Sequence, residues 1–181
     1  TILSTKMEIL YTKKDIDFQV KILANQLNIK HKNLKSNTVF ICVLDGGYHF
    51  FSDIVKLLDF DIQLDFMRVK SYEGKRKQGD LKIIKDIHHS IEGKHVYLVD
   101  DFLDSGTTIH KLVEYVHIKN PNTINILTFL KRKNCKYNPI HDKLVDGFYY
   151  GKELEGDDWL VGYGMDDDNG YKRNQTDIWK I

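Results

Sequence analysis

Ile16, Val20, Leu23 and Leu27 recur at i, i+4, i+7 and i+11, the spacing of one face of an α-helix. Thr12 stands three residues ahead of Asp15, offering an N-cap hydroxyl with an acid positioned to answer it. A first amphipathic helix is predicted there. Thr38–Leu44 is continuously apolar, β-branched at several positions and ended by Asp45-Gly46-Gly47, the pattern of a strand covered on both faces. Phe51, Ile54, Val55 and Leu58 then supply the apolar face of a second helix. After it, Ile62, Leu64 and Phe66 alternate as a strand with period two.

From Ser71 to Asp80 the chain carries two glycines and no apolar periodicity, and a surface loop longer than the usual ~4–6 residues is predicted. Connections of that length are often lids or binding loops. Leu81–Ile84 reads as a returning strand, His95–Val99 as a short buried strand, and Asn122–Leu130 as another. Between the last two, a helix from about Thr107 turns Leu112, Val113 and Val116 inward. Strands alternating with helices predict an α/β fold, a mainly parallel sheet flanked by helices and joined by right-handed crossovers. Beyond residue 140, Phe148-Tyr149-Tyr150 and Trp159–Gly164 read as short strands and Asp166-Asp167-Asp168 as a turn.

Composition narrows the function. A chain of 181 residues is most simply a single domain. Its 27 basic and 26 acidic side chains leave a net charge of +1, which argues against nucleic acid as a primary partner. The apolar runs fall well short of the ~20 residues a bilayer span needs, and Thr1–Lys6 carries no signal-peptide pattern, so a soluble, cytoplasmic protein with no membrane partner is expected. Cys42 and Cys135 are far apart and lack a CxxC partner, which suggests neither a disulfide framework nor a zinc site; Cys42 reads as core. His88, His89, His110 and His117 read as surface residues without ligand-spaced partners.

The informative segment is Asp100-Asp101-Phe102-Leu103-Asp104-Ser105-Gly106-Thr107-Thr108, where a buried strand gives way to a helix. Open α/β sheets bind ligands at that end, and small residues leading into a helix N-terminus suit a phosphate monoester. No Gly-rich run ending in Gly-Lys-Ser/Thr exists, so a Walker-type loop is not supported. Three aspartates beside a phosphate cradle would repel the ligand unless they bind sugar hydroxyls, act through a divalent cation or serve as a base.

Val99–Thr108 resembles the phosphoribosyl diphosphate (PRPP) signature of type I phosphoribosyltransferases. Leu44–Gly47, Asp65–Tyr72, Gly79–Ile84 and Trp159–Asp166 resemble, in order, the hypoxanthine-guanine phosphoribosyltransferases, so the likeness spans roughly residues 37 to 172. It implies a core of about residues 37–140 and a small hood from about 1–36 and 141–181 that covers the base. It implies a magnesium-dependent reaction in which PRPP and a 6-oxopurine, hypoxanthine or guanine, give a nucleoside monophosphate and pyrophosphate, and a homodimer or homotetramer.

The site residues carry over the same way. Asp100 and Asp101 would face the ribose hydroxyls and magnesium, with Asp166 a further metal carboxylate and Asp104 the general base near purine N7. Ser105, Gly106, Thr107 and Thr108 would hold the 5′-phosphate. Asp45, Gly46 and Gly47 occupy the pyrophosphate turn, which is expected to begin with a cis Leu44–Asp45 peptide; the family often has a basic residue where Asp45 stands. Ser71 and Tyr72 match the start of the mobile loop. Lys131 or Arg132 would read the purine 6-oxo group, Trp159 would stack on the base, the Leu160 and Asp166 backbone would read its edge, and Lys172, with Arg173 beside it, would contact pyrophosphate.

Plainer readings stand beside these. The acidic run could cap a helix, Lys75-Arg76-Lys77 could be a solvated charge run, and a Trp in a short apolar strand is by default core. A xanthine-preferring transferase, or a PRPP-binding regulatory protein without turnover, are the alternatives in function.

Overall fold

Thr12 has extended backbone and begins α1 (Lys13–His31) with the predicted capping box: its hydroxyl accepts the Asp15 N–H, and the Asp15 carboxylate accepts the Thr12 N–H at 3.0 Å. Ile16, Val20, Leu23 and Leu27 are buried, as their spacing requires. This is a computed structural model, and it describes residues 7–32, 37–71 and 81–181. Tyr72 and Lys75–Lys77, and with them most of the predicted Ser71–Asp80 loop, lie outside the described residues.

Six strands form the main sheet: β2 (Thr38–Leu44), β3 (Gln63–Ser71), β4 (Leu81–Lys85), β5 (His95–Leu103), β6 (Thr123–Arg132) and β7 (Gly147–Leu154). Their order is β4-β3-β2-β5-β6-β7, and every neighbouring pair is parallel except β3 with β4. Successive side chains of β2 feed opposite cores. Phe40 and Cys42 join α1 and α2 (Tyr48–Val55), whereas Val39, Ile41 and Val43 join the side covered by α3 (Thr107–His117). Burial on both faces explains why this strand reads as an unbroken apolar run. It also pushes the Cys42 thiol up to about 12, with the charges of Asp100 and Asp101 adding to the effect, so this cysteine is core.

A smaller antiparallel sheet, in the order β1-β9-β8, joins β1 (Glu8–Tyr11), β9 (Ile178–Lys180) and β8 (Leu160–Val161). Leu160, Tyr163, Met165 and Ile178 pack into the same cluster as α1 and the inner face of the main sheet, so the hood rests on a shared core.

Four expectations change. The strand predicted to end at Val99 continues to Leu103. Helix α2 stops at Val55, leaving Leu58 beyond it. The segment placed in the hood from residue 141 contains β7, which pairs with β6, so the main sheet reaches Leu154; α1, also placed in the hood, packs on that sheet. On β3 the apolar alternation points outward: Leu64 and Phe66 are 42% and 38% exposed, while Asp65 is 3% exposed. Asp65 is buried because its carboxylate accepts the N–H groups of Phe66, His88 and His89 at 2.8 Å each. Burial alone would raise this carboxyl, and the bonds from His89, Phe66 and His88 outweigh it and hold it below its usual value.

At the opposite end of the sheet from the acidic run, His31 is buried, bonded through Nε2 to the Tyr97 hydroxyl at 2.7 Å and stacked on Phe60. Burial, aided by the charges of Lys30 and His95, pushes it from 6.5 down to about 4. Between those values the unfolded chain takes up a proton that the folded chain refuses, so stability is full above the window and falls as pH drops through it. Thermal denaturation of wild type and His31→Gln across pH 7 to 4 should show a shallower acid loss in the variant. Parallel curves would contradict a neutral buried His31.

Candidate active site

Strands β2 and β5 pair from Thr38↔His95 to Cys42↔Val99 and then part. The first ends at Leu44 and turns through Asp45–Gly47, while β5 continues through the acidic residues held by β6 alone, at Asp100↔Thr128, Phe102↔Leu130 and Leu103↔Lys131. A crevice opens between their carboxyl ends. The sheet order also reverses here, because the chain after β2 passes through α2 to β3 on one side and the chain after β5 passes through α3 to β6 on the other. Such a switch point is where open α/β sheets bind ligands.

The crevice wall on the β2 side needs glycine. A Cβ on Gly46 would lie 2.3 Å from an Asp101 carboxylate oxygen, and a Cβ on Gly164, from the hood, would lie 2.0 Å from the Gly46 carbonyl oxygen. Core turn and hood therefore touch through two residues without side chains. Gly47 leads into α2, its carbonyl accepting the Phe51 N–H at 2.9 Å. The Leu44–Asp45 peptide is cis, as the resemblance implies. Asp45, the residue that departs from the family pattern, is answered by Arg68 of β3, whose Nη2 donates to its carboxylate at 2.8 Å. Ser71 is the last residue of β3.

On the β5 side, Gly106 adopts φ +77° and begins α3 without a side-chain cap of its own, the Thr107 N–H reaching back to the Ser105 hydroxyl at 3.4 Å, and a cavity of 220 Å³ lies at this helix start. Asp100, Asp104, Ser105, Gly106 and Thr108 line it; Thr107 opens the helix but is exposed and outside this lining. A Cβ on Gly106 would meet the Tyr137 Cβ at 2.6 Å, so the turn is backed by the segment after β6, and Tyr137 donates its N–H to the Ser105 carbonyl at 3.3 Å.

Asp100 and Asp101 stand side by side at the crevice floor. Burial and then repulsion by Asp101 raise the Asp100 carboxyl well above the ordinary range. Burial also raises Asp101, against the opposing pull of its bonds and of the Arg173 charge. Among the described residues no group of three or more His, Cys, Asp or Glu is placed to hold a metal by itself. Two adjacent carboxylates with an electrostatic demand for a cation nonetheless fit magnesium, which characteristically takes one or two carboxylates and completes its shell with water and substrate oxygens.

A second cavity of 320 Å³ lies between this crevice and the hood, lined by Asp101, Asp104, Arg132, Trp159, Leu160 and Arg173 among others. Asp104 lines both cavities. Arg132 reaches it through Nε at 2.6 Å and turns its other nitrogens to the carbonyls of Gly156 at 2.7 Å and Asp158 at 3.2 Å, with its guanidinium over the Phe102 ring. Trp159 is 54% exposed at the cavity rather than core, and its indole N–H donates to the Asp166 carbonyl at 3.3 Å.

Two of the alternatives separate here. Lys131 points away, paired with Glu153 at 2.7 Å and lying over the Tyr150 ring, so of the two Arg132 is the one at the cavity. Lys172 is not among the lining residues, and its neighbour Arg173 is; Arg173 donates to the Gly164 carbonyl at 2.6 Å and pairs with the Asp166 carboxylate at 2.7 Å. The contributions of Arg68, Phe102 and the Gly156–Asp158 segment were not readable from the sequence, because each depends on how separate strands are registered.

The model of the phosphoribosyl transferase domain family matches residues 7–168. The hypoxanthine phosphoribosyltransferase of Buchnera aphidicola is 32% identical over 167 residues, 92% of this chain and 91% of that relative. The hypoxanthine-guanine-xanthine phosphoribosyltransferase of Tritrichomonas foetus is 33% identical over 91% of this chain and 86% of its own. A crystal structure of a hypoxanthine phosphoribosyltransferase from Staphylococcus aureus superposes with a TM-score of 0.83 at 34% identity, covering 96% of this chain and 90% of that one. With its crevice at the switch point, a glycine turn at a helix start and a matching family model over most of its length, this chain belongs to the phosphoribosyl transferase domain family.

Proposed function

We propose that the protein salvages purines by moving the 5-phosphoribosyl group of PRPP onto a 6-oxopurine, releasing pyrophosphate. What carries this reading is the Asp104–Arg132 pair, which faces Trp159 across one cavity while Asp104 also borders the phosphate turn in the other. A carboxylate placed between a phosphate cradle and an aromatic shelf can reach both the sugar end and the base.

In this proposal the Ser105–Thr108 turn holds the 5′-phosphate through backbone N–H groups and the Thr108 hydroxyl, and the Asp45–Gly47 turn receives the pyrophosphate. Ribosyl transfer passes through a cation-like sugar, so the site must hold both reactants rigidly and neutralise the departing charge. Asp100 and Asp101 hold the ribose hydroxyls and are the residues that would carry magnesium; the ion, when bound, neutralises charge on the departing pyrophosphate. The Asp166 carboxylate is paired with Arg173 through Oδ2, which leaves Oδ1 as the oxygen that could meet a cation. Asp104 accepts the proton the purine loses, its orientation fixed by Arg132 Nε.

Arg132 presents only donors, which suit a 6-oxo group and oppose the 6-amino group of adenine. Pyrophosphate release, measured with PRPP, magnesium and hypoxanthine, guanine, xanthine, adenine or orotate in turn, should be strong with 6-oxopurines and lowest with adenine among the purines. Robust turnover of adenine, or of no purine, would overturn the assignment.

Three substitutions test the parts. Asp104→Asn should lower turnover by about 10²–10⁴-fold with PRPP binding retained, since only proton acceptance is lost; near-normal turnover would remove Asp104 from that role. Thr108→Ala should weaken PRPP binding by about 1.5–3 kcal/mol in calorimetry, the worth of a charge-assisted hydrogen bond. An unchanged affinity would mean the phosphate sits elsewhere. Arg132→Ala should cut efficiency with hypoxanthine far more than Lys131→Ala does, and the reverse order would return the 6-oxo contact to Lys131.

A further inference from the structure

We propose that the Trp159 indole N–H makes the site favour hypoxanthine over guanine, by occupying the Asp166 carbonyl that would otherwise accept the guanine 2-amino group; this rests on the purine site proposed above. The two bases differ only at C2, where hypoxanthine carries hydrogen and guanine an amino group with two donors. Discrimination between them is therefore set by how many acceptors remain free along one edge of the cavity.

Few remain. The Gly156 and Asp158 carbonyls accept from Arg132, and the Trp159 carbonyl accepts from the Ile181 N–H at 3.0 Å. Hydrogen-bonded and non-hydrogen-bonded pairs alternate in an antiparallel ladder. Because Trp159 bonds Ile181, the next pair, Leu160↔Lys180, turns the Leu160 N–H and C=O away from β9. Leu160 lines the cavity, so its carbonyl can take the N1–H that both bases share. The second candidate is the Asp166 carbonyl, and that one takes the indole N–H at 3.3 Å.

Stacking geometry makes the two uses compete. An indole N–H points along its own ring plane, so its acceptor lies near that plane. A base stacked on Trp159 lies parallel to the indole at about 3.5 Å, and its amino hydrogens point along the base plane instead. An oxygen aligned with one plane is poorly aligned with the other. The carbonyl is also not free to swing, since the Asp166 carboxylate is held by Arg173 and the preceding residue, Met165, exchanges two backbone hydrogen bonds with Gly162 at 3.0 and 3.1 Å. Hypoxanthine needs nothing from it. Guanine loses water from an amino group that recovers only part of its hydrogen bonding, and one missing bond corresponds to about tenfold in efficiency. The carboxylates of Asp157 and Asp158 at the rim are exposed, and recruiting either would mean drawing it from water.

Phenylalanine keeps the aromatic face and deletes the donor. The test is kcat/KM for hypoxanthine and for guanine in wild type and Trp159→Phe, with inosine monophosphate quenching of tryptophan fluorescence measured in both. Wild type should favour hypoxanthine by about tenfold. The ratio of guanine to hypoxanthine efficiency should rise at least about fivefold in the variant, whatever loss the two bases share from weaker stacking. If quenching is present in wild type and lost in the variant but the ratio does not move, the indole N–H has no role in selection and the purine site stands. If the nucleotide does not quench Trp159 at all, the purine site itself is wrong and this inference falls with it.

Discussion

The parting of β2 and β5 after Cys42↔Val99 is the constraint on which the rest of the molecule depends. Up to that pair, β5 is hydrogen-bonded on both sides and its side chains are buried on both faces. Beyond it, one edge of β5 is open while β6 still holds the other, so four residues of extended chain project as a rigid shelf. The acidic pair sits on that shelf, Asp104 follows at its end, and Gly106 turns the chain into α3. Ligand-binding groups are usually carried on loops. Here Asp100 and Asp101 belong to a strand, which fixes them more tightly than a loop could.

That rigidity has an electrostatic cost. Both carboxyls are raised by burial, and Asp100 further by its neighbour, so the ligand-free protein is destabilised by ionising them. The sign follows from the direction: a raised carboxyl contributes best when protonated, and its contribution is lost as pH rises from the unfolded value toward the folded one. A divalent cation with a sugar diol would relieve this, whereas a protein cation held permanently in place would remove the demand. The fixed cations stand at the margins instead. Arg132 serves Asp104, Arg173 serves Asp166 and Gly164, and Arg68 serves Asp45. The last pairing explains how an acid can occupy a turn expected to meet pyrophosphate: the local charge is balanced by a guanidinium from the neighbouring strand.

Much of this was legible in the sequence where the signal was local. The Thr12–Asp15 box, the two-faced strand Thr38–Leu44 and the acidic run before Gly106 each depend on a few adjacent residues, and each stands where it was read. What was misread or left open shares a cause. Leu64 and Phe66 alternate properly but face outward, because three backbone N–H groups satisfy Asp65 and allow the polar side of β3 to be buried. Lys131 and Arg132 are neighbours on a strand and must point to opposite faces, and only the register Leu103↔Lys131 decides which reaches the cavity. Lys172 was read for pyrophosphate, and it is its neighbour Arg173 that lines the cavity beside the hood. Each of these outcomes rests on tertiary surroundings that a single sequence does not display.

The central claim is that one crevice between the ends of β2 and β5 holds the whole phosphoribosyl donor. A crystal structure of the protein with magnesium and a non-reactive PRPP analogue tests it most directly. The account predicts the 5′-phosphate against the N–H groups of Ser105–Thr108, the ribose hydroxyls at Asp100 and Asp101, and the diphosphate beside Asp45–Gly47. A 5′-phosphate bound anywhere other than the α3 turn, or a diphosphate remote from the Asp45–Gly47 turn, would contradict it.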